Sequence, residues 1–217
     1  ERGQMAYETG RRIVGLAMED VRPSNILTRE AFLDAIVVNA AIGGSSNAQP
    51  HIMAMARHAG VEITTEDWMT YGYEVPLLLN MQPAGKYLGE RFHRAGGVPA
   101  VMWELDQAGL LRSDRLTVTG KTLAQNIDMH QTMDREMIRP FADPLKENAG
   151  FLVLKGNLFD FAIMKTSVIS PSFRERYLAT PGAENCFECK VVVFDGSDDY
   201  HARINDPALG IDEHTML

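Results

Sequence analysis

The chain has 217 residues, enough for one large domain or parts of two, and its 45% hydrophobic and 23% charged content is close to the globular average. A formal net charge of −8 argues against a nucleic-acid-binding module and against attachment to an anionic membrane surface. No apolar run reaches the roughly 18 residues of a spanning helix, no secretory signal is visible, and two cysteines are too few for a disulfide framework, so we expect a cytoplasmic protein.

The first third of the chain predicts three helices. Apolar residues at helical spacing indicate a first helix that ends before Pro23. Thr28 is a suitable N-cap for a second helix, which is almost entirely apolar after Phe32 and should therefore be buried. Gly43 and Gly44 interrupt it, and a third helix should follow and continue to His58.

The middle of the chain continues the helical character with one exception. A short fourth helix is expected to start at Thr64, and the apolar segment 75–79 is typical of a strand. A turn at 83–86 precedes a helix that should end near Arg94. A further helix is predicted over Pro99–Ala108.

The character of the sequence changes after about residue 140. Short β-rich runs occupy 151–154, 162–164 and 191–194, with turn signals between them. We therefore place a domain boundary near residue 145. Residues 1–145 should be mostly helical, and 146–217 should be the beginning of a β-rich domain.

The two ends of the chain suggest an internal piece of a longer protein. Glu1 leads directly into a helical pattern, and the last residues, 214–217, turn apolar where the chain stops. A processed or trimmed protein is the alternative interpretation.

The segment Gly43-Gly44-Ser45-Ser46-Asn47 is the most suggestive local motif. Glycines allow a backbone to approach a ligand closely, and the helix start that follows presents free N–H groups and a positive dipole end. Three polar side chains come from the same turn. This chemistry suits a carboxylate or phosphate, although an ordinary helix–turn–helix connection would have the same spacing.

Other candidate sites are weaker. The segment around Lys121 resembles the end of a phosphate-binding P-loop, but Arg115 stands where that motif requires glycine. Cys186 and Cys189 form a CxxC without a second pair or a histidine at zinc spacing, so two ordinary thiols are the simpler interpretation. His51, just inside the third helix, is the one histidine that we regard as a candidate site residue.

Longer motifs carry a family resemblance. The chain resembles the dihydroxy-acid and phosphogluconate dehydratase family in five segments that occur in family order and span nearly the whole sequence. These are AIGGSSNA at 41–48, PAGKY at 83–87, HRAGGVPAV at 93–101, LTVTGKTL at 116–123 and LKGNL at 154–158. The segments 162–169 and 200–207 are more similar to the sugar-acid branch, which dehydrates aldonates such as arabinonate or xylonate.

The resemblance implies a hydro-lyase that converts a 2,3-dihydroxy carboxylate to a 2-keto-3-deoxy acid. It implies an iron–sulfur cluster, of the 2Fe-2S type, as the Lewis acid on the leaving hydroxyl and Mg²⁺ at the carboxylate end, with a serine as base. It also implies that residues 1–145 are the C-terminal part of an α/β catalytic domain and that 146–217 are the beginning of a β-rich, barrel-like domain. A homo-oligomer acting on a small sugar acid, without nucleic-acid or membrane partners, is implied as well.

The resemblance places the catalytic and metal-binding residues outside these 217 residues, so we assign none here and expect the isolated chain to be inactive. Ser45, Ser46 and Asn47 are the predicted substrate-binding residues, as hydrogen-bond donors in the pocket. Two alternatives stay open: a branched-chain dihydroxy-acid dehydratase of amino acid biosynthesis, and a non-catalytic anion-binding or assembly module.

Overall fold

The computed structural model describes residues 2–183 and 186–217. Contacts divide the chain into two compact units, one ending at Val168 and the other beginning at Ile169. The division after Val168 follows contacts, whereas the boundary near residue 145 follows the change in sequence character. The boundary near residue 145 stays a prediction. Within the described ranges, no helix has the length and apolar character needed to cross a membrane.

The first unit is mainly helical and carries one small sheet. Its elements are α1 (Arg2–Met18), α2 (Pro23–Ile26), α3 (Arg29–Ala41), α4 (Ala48–His58), α5 (Thr65–Gly72), α6 (Gly89–Arg94), α7 (Gly97–Gln107), α8 (Leu123–Ile127), β1 (Phe151–Leu154) and β2 (Ala162–Lys165). The prediction of a mostly helical α/β chain is confirmed.

Helix α3 forms the centre of this unit. The Thr28 side chain accepts a hydrogen bond from the backbone N–H of Ala31, which confirms the predicted N-cap. Ile36 and Ala40 are completely buried, and α4, α5 and α7 all pack against the helix. The apolar sequence after Phe32 is explained by this position, because a helix covered on several sides needs no polar face.

Strands β1 and β2 form an antiparallel pair, with Phe151 opposite Lys165 and Leu154 opposite Ala162. Phe151 packs edge-to-face against Trp68 of α5, with ring centroids 5.2 Å apart. Both side chains are buried, so this aromatic pair attaches the small sheet to the helices.

The predicted strand at 75–79 is extended and buried but pairs only at isolated positions. Leu77 bridges to Lys146, and Leu79 bridges to Ile138. The expectation of an ordinary strand was therefore wrong. The apolar content reflects burial on all sides, with Leu77 and Leu79 both fully covered.

A buried carboxylate connects α3 to the loop that precedes α8. Asp34 is 2% exposed and accepts hydrogen bonds from the Arg112 backbone N–H at 3.1 Å and from the Arg112 guanidinium at 2.9 Å. Arg115 also pairs with it. Arg115 is thereby a structural residue of this loop.

The second unit consists of short elements: α9 (Pro171–Phe173), a π-helical turn (Arg174–Leu178), β3 (Lys190–Val191), α10 (Gly196–Arg203), a 3₁₀ turn (Pro207–Leu209) and β4 (Thr215–Met216). Strands β3 and β4 pair in parallel. The predicted strand 191–194 is shorter than expected, since regular pairing ends at Val191. The rings of Phe173, Tyr177 and Phe187 pack together in this unit.

Candidate substrate-binding site

The glycine turn between α3 and α4 is tightly packed. Gly43 has a φ of 59°, in the left-handed region that favours glycine. A Cβ on Gly44 would lie 2.7 Å from the side-chain Cγ of Asn39 and 2.9 Å from its backbone oxygen. Asn39 also donates from its side chain to the Ser45 carbonyl at 3.4 Å. Both glycines are therefore required by the local geometry.

The three predicted substrate-binding residues lie at the start of α4. Ser45 and Asn47 are exposed and Ser46 is half-buried. The Ser45 hydroxyl accepts a hydrogen bond from the Asn47 backbone N–H at 3.1 Å. Asn47 is the N-cap residue of α4, but its side chain makes no capping hydrogen bond. Its role in substrate binding stays a prediction.

The glycine turn meets segments that are distant in sequence. A Cβ placed on Gly43 would lie 2.9 Å from Leu77 Cδ1, 3.4 Å from Ala84 Cβ and 3.4 Å from Ser167 Oγ. Ala84 belongs to the PAGKY motif, and Ser167 follows β2. The structure thus brings together two of the family-like motifs and the end of the small sheet around Gly43.

Asn80 organises the neighbouring PAGK turn. Its side-chain oxygen accepts from the Lys86 backbone N–H at 2.8 Å, and its amide donates to the Glu136 carbonyl at 3.1 Å. A Cβ on Gly85 would lie 2.7 Å from the Asn80 Cα. This second turn is consequently as closely packed as the glycine turn beside it.

Ser167 lies beside Gly43, and Lys146 contacts Ser167. The Lys146 ammonium donates to the Ser167 backbone carbonyl at 2.5 Å. The Ser167 side chain is 0% exposed, and its hydroxyl has no hydrogen-bond partner among the described residues. Sequence reasoning missed both residues. Ser167 lies in a segment that resembles the sugar-acid branch, which is a weak signal, but nothing near Lys146 indicated its position.

Lys165, at the end of β2, is also affected by its surroundings. It is half-buried, and burial lowers the pKa of its ammonium below the usual range for lysine. Its pairing opposite Phe151 places it beside the buried aromatic pair. The loss of hydration on burial is the physical cause of the lowered pKa.

The weaker candidates lie elsewhere. His51 is exposed on α4, and Lys121 is exposed in a turn closed by a hydrogen bond from the Thr117 backbone N–H to the Lys121 carbonyl. Cys186 and Cys189 are free thiols of the second unit. These observations agree with a solvated lysine in a capped turn and with two ordinary thiols.

The described residues do not fit the metal groups that the family resemblance implies. A 2Fe-2S cluster is commonly held by four cysteine thiolates, and this chain has two cysteines. Across 2–183 and 186–217, no three His, Cys, Asp or Glu side chains converge so as to hold a metal ion. We therefore derive no chemical step through a cluster or Mg²⁺ from this chain.

The geometry defines a polar, glycine-lined turn on a helical α/β scaffold, and sequence comparison supplies the family. The model of the dihydroxy-acid/6-phosphogluconate dehydratase N-terminal region matches residues 1–126, and that of the C-terminal region matches 136–217. The chain belongs to this family, which confirms the resemblance inferred from its motifs.

Several curated relatives are similar over much of the chain. It is 67% identical over 217 residues to the D-xylonate dehydratase of Caulobacter vibrioides, covering 100% of this chain and 36% of the relative. It is 41% identical over 213 residues to the L-arabinonate dehydratase of Rhizobium leguminosarum, covering 98% and 35%. A dihydroxy-acid dehydratase of Caldanaerobacter subterraneus is 44% identical over 172 residues, covering 79% and 31%. The chain thus spans about a third of the length of these relatives.

Proposed function

We propose that the complete protein is a hydro-lyase that removes water from a sugar acid and forms a 2-keto-3-deoxy acid, with a pentonate such as D-xylonate as substrate. The observation that carries this proposal is the 67% identity to a D-xylonate dehydratase along the whole chain. The polar turn at 43–47 supports it, because a helix start with several donors suits the carboxylate and hydroxyl oxygens of such a substrate.

In this proposal the chain contributes substrate recognition. Ser45, Ser46 and Asn47 supply hydroxyl and amide donors at the N-terminus of α4, where the helix dipole favours an anionic group. The close packing of Gly43 and Gly44 holds these donors in one arrangement.

We propose that an iron–sulfur cluster and Mg²⁺ are bound by parts of the relatives' length that this chain does not span, so that the isolated chain is inactive. We also propose a cytoplasmic homo-oligomer without nucleic-acid or membrane partners. The net charge of −8 and the two free thiols support the latter part of this proposal.

A branched-chain dihydroxy-acid dehydratase is the second candidate, since relatives of that name align over 70–79% of the chain. The sugar-acid dehydratases align over 98–100% of it. The more complete alignment favours the sugar-acid substrate.

The test is 2-keto acid formation by the complete protein, produced anaerobically with magnesium. D-xylonate, L-arabinonate, a hexonate and a branched 2,3-dihydroxy acid should be compared at equal concentrations. We expect the pentonates to react fastest. Turnover of the branched acid alone would move the protein to the second candidate, and a cluster-free protein that is inactive on all four would favour a non-catalytic anion-binding module.

The substitution Asn47→Ala tests the role of the turn. Because the Asn47 side chain makes no capping hydrogen bond, we expect the free energy of unfolding to change by less than about 0.5 kcal/mol while turnover falls. Thr28→Ala is the matched control, since Thr28 does cap α3, and it should cost about 1 kcal/mol of stability. Unchanged turnover in Asn47→Ala would remove Asn47 from the site.

A further inference from the structure

The unpaired hydroxyl of Ser167 is the feature that the proposed role of the turn leaves unexplained. Its side chain is fully buried and makes no hydrogen bond with the described residues. A buried hydroxyl without a partner is unfavourable, and alanine would leave no such group. The neighbouring Thr166 shows the usual arrangement, since its hydroxyl is also buried but donates to the Gly150 carbonyl at 2.8 Å.

The position of Ser167 indicates what kind of group its hydroxyl could bind. The Oγ lies 3.4 Å from where a Cβ on Gly43 would be, directly against the glycine turn. The turn leads into α4, an 11-residue helix whose N-terminal dipole favours negative charge. The unpaired hydroxyl and the helix start thus adjoin the same short segment.

Lys146 adds a positive charge beside Ser167. Its ammonium donates to the Ser167 carbonyl, and its own carbonyl accepts from the Leu77 backbone N–H at 2.9 Å. Leu77 in turn contacts the Gly43 position. The half-buried ammonium therefore lies at the Ser167 carbonyl, and the Ser167 side chain lies against the turn. Partial burial strengthens the attraction of the ammonium to an anion.

We propose that the Ser167 hydroxyl and the Lys146 ammonium form a donor pair that binds acceptor oxygens of the sugar acid at the 43–47 turn. This inference rests on the proposed dehydratase function and adds two recognition residues to it. The acceptor is either a carboxylate oxygen or a hydroxyl oxygen at the far end of the sugar chain, since both accept from O–H and N–H donors.

Ligand binding at Ser167 requires the turn to move. The hydroxyl is covered, and the glycine turn lies directly against it. Gly43 is the residue at which the backbone can rotate with little steric cost. Substrate association should consequently be slower than an open site would allow.

The experiment compares Ser167→Ala, Ser167→Cys and the control Thr166→Val in the complete protein. We expect both Ser167 variants to raise the KM for D-xylonate about tenfold, with kcat within about twofold and no loss of thermal stability. Cysteine keeps the volume but is a weak donor, so its agreement with alanine excludes a cavity effect. Thr166→Val should lower the melting temperature and leave KM unchanged, because it removes a satisfied structural hydrogen bond.

Lys146→Gln and a second ligand separate the two sources of the acceptor oxygen. A branched 2,3-dihydroxy acid shares the carboxylate but lacks the distal hydroxyls, and its inhibition constant should be measured with each variant. Equal weakening of both ligands by Ser167→Ala and Lys146→Gln assigns the pair to the carboxylate. Weakening of D-xylonate alone assigns it to the distal hydroxyls.

An active protein whose KM is unchanged in Ser167→Ala and Ser167→Cys would overturn the donor pair and leave the dehydratase proposal intact. A wild-type, cluster-loaded protein that neither binds nor converts any aldonate would overturn both. For a protein that does not convert D-xylonate, titration calorimetry with this ligand shows whether it still binds.

Discussion

Replacement of Gly150 by alanine should strongly destabilise the first unit. A Cβ on Gly150 would overlap the backbone carbonyl of Gly72 and lie 2.8 Å from its carbon and 3.1 Å from the Tyr73 oxygen. These are backbone atoms at the end of α5, which cannot rotate away as a side chain can. In the variant, the chain that leads into β1 and the end of α5 must therefore move apart.

The magnitude follows from the contacts that would be lost. The Gly150 N–H donates to the Tyr73 carbonyl at 3.2 Å, and the Gly150 carbonyl accepts from the Thr166 backbone N–H at 3.0 Å and from its hydroxyl at 2.8 Å. With about 1 kcal/mol for each of the three hydrogen bonds weakened and about 1–3 kcal/mol for overpacking, we expect a loss of about 4–6 kcal/mol. The melting temperature should fall by about 8–24 °C.

Urea unfolding followed by tryptophan fluorescence is the appropriate assay, because Trp68 and Trp103 both lie in the first unit. Gly156→Ala is the matched control, since a Cβ there meets nothing within 4 Å. It should change stability by less than about 0.5 kcal/mol. A Gly150→Ala protein as stable as Gly156→Ala would refute the packing of β1 against α5 described above.

Two further predictions concern charged groups. Asp34→Ala should cost about 3 kcal/mol in urea unfolding, because it removes the buried carboxylate that Arg112 and Arg115 share. The hydrogen bond from Arg91 lowers the pKa of the Asp134 carboxyl. The pair therefore stabilises the folded state fully at pH values above the pKa of an unfolded aspartate, which is about 4. This stabilisation is lost as the pH falls through the lower pKa of the folded state. Asp134→Asn should accordingly flatten the acid side of a stability–pH curve, and an unchanged acid side would contradict the pair.

Local sequence signals predicted the elements whose stability is local. Thr28 caps α3 as expected, and the apolar run after Phe32 is buried as its composition required. Gly43, at the end of this helix, adopts the left-handed conformation that favours glycine. In each case the residues that cause the structure lie within a few positions of each other, so the sequence alone is enough to predict it.

The surroundings of the candidate site could not be predicted in this way. A Cβ on Gly43 would contact Ala84 and Ser167, both of which are distant from Gly43 in sequence. The motifs of the family indicated the order of segments along the chain but not their meeting in space. The prediction of a strand at 75–79 was wrong for the same reason, because Lys146, which bridges to Leu77, is distant in sequence.

The isolation of α1 has a consequence for hydrogen exchange. None of its 17 residues is buried, and its connection to the rest of the unit includes a hydrogen bond from the Arg12 side chain to the Val118 carbonyl at 2.6 Å. Isolated helices of this length are marginal in water, so α1 amides should exchange through local unwinding, while those of α3 require opening of the core. A surface that covers the exposed side chains of Ile13 and Val14 would order α1. The free energy of that contact would therefore have to exceed the conformational entropy that α1 loses on ordering.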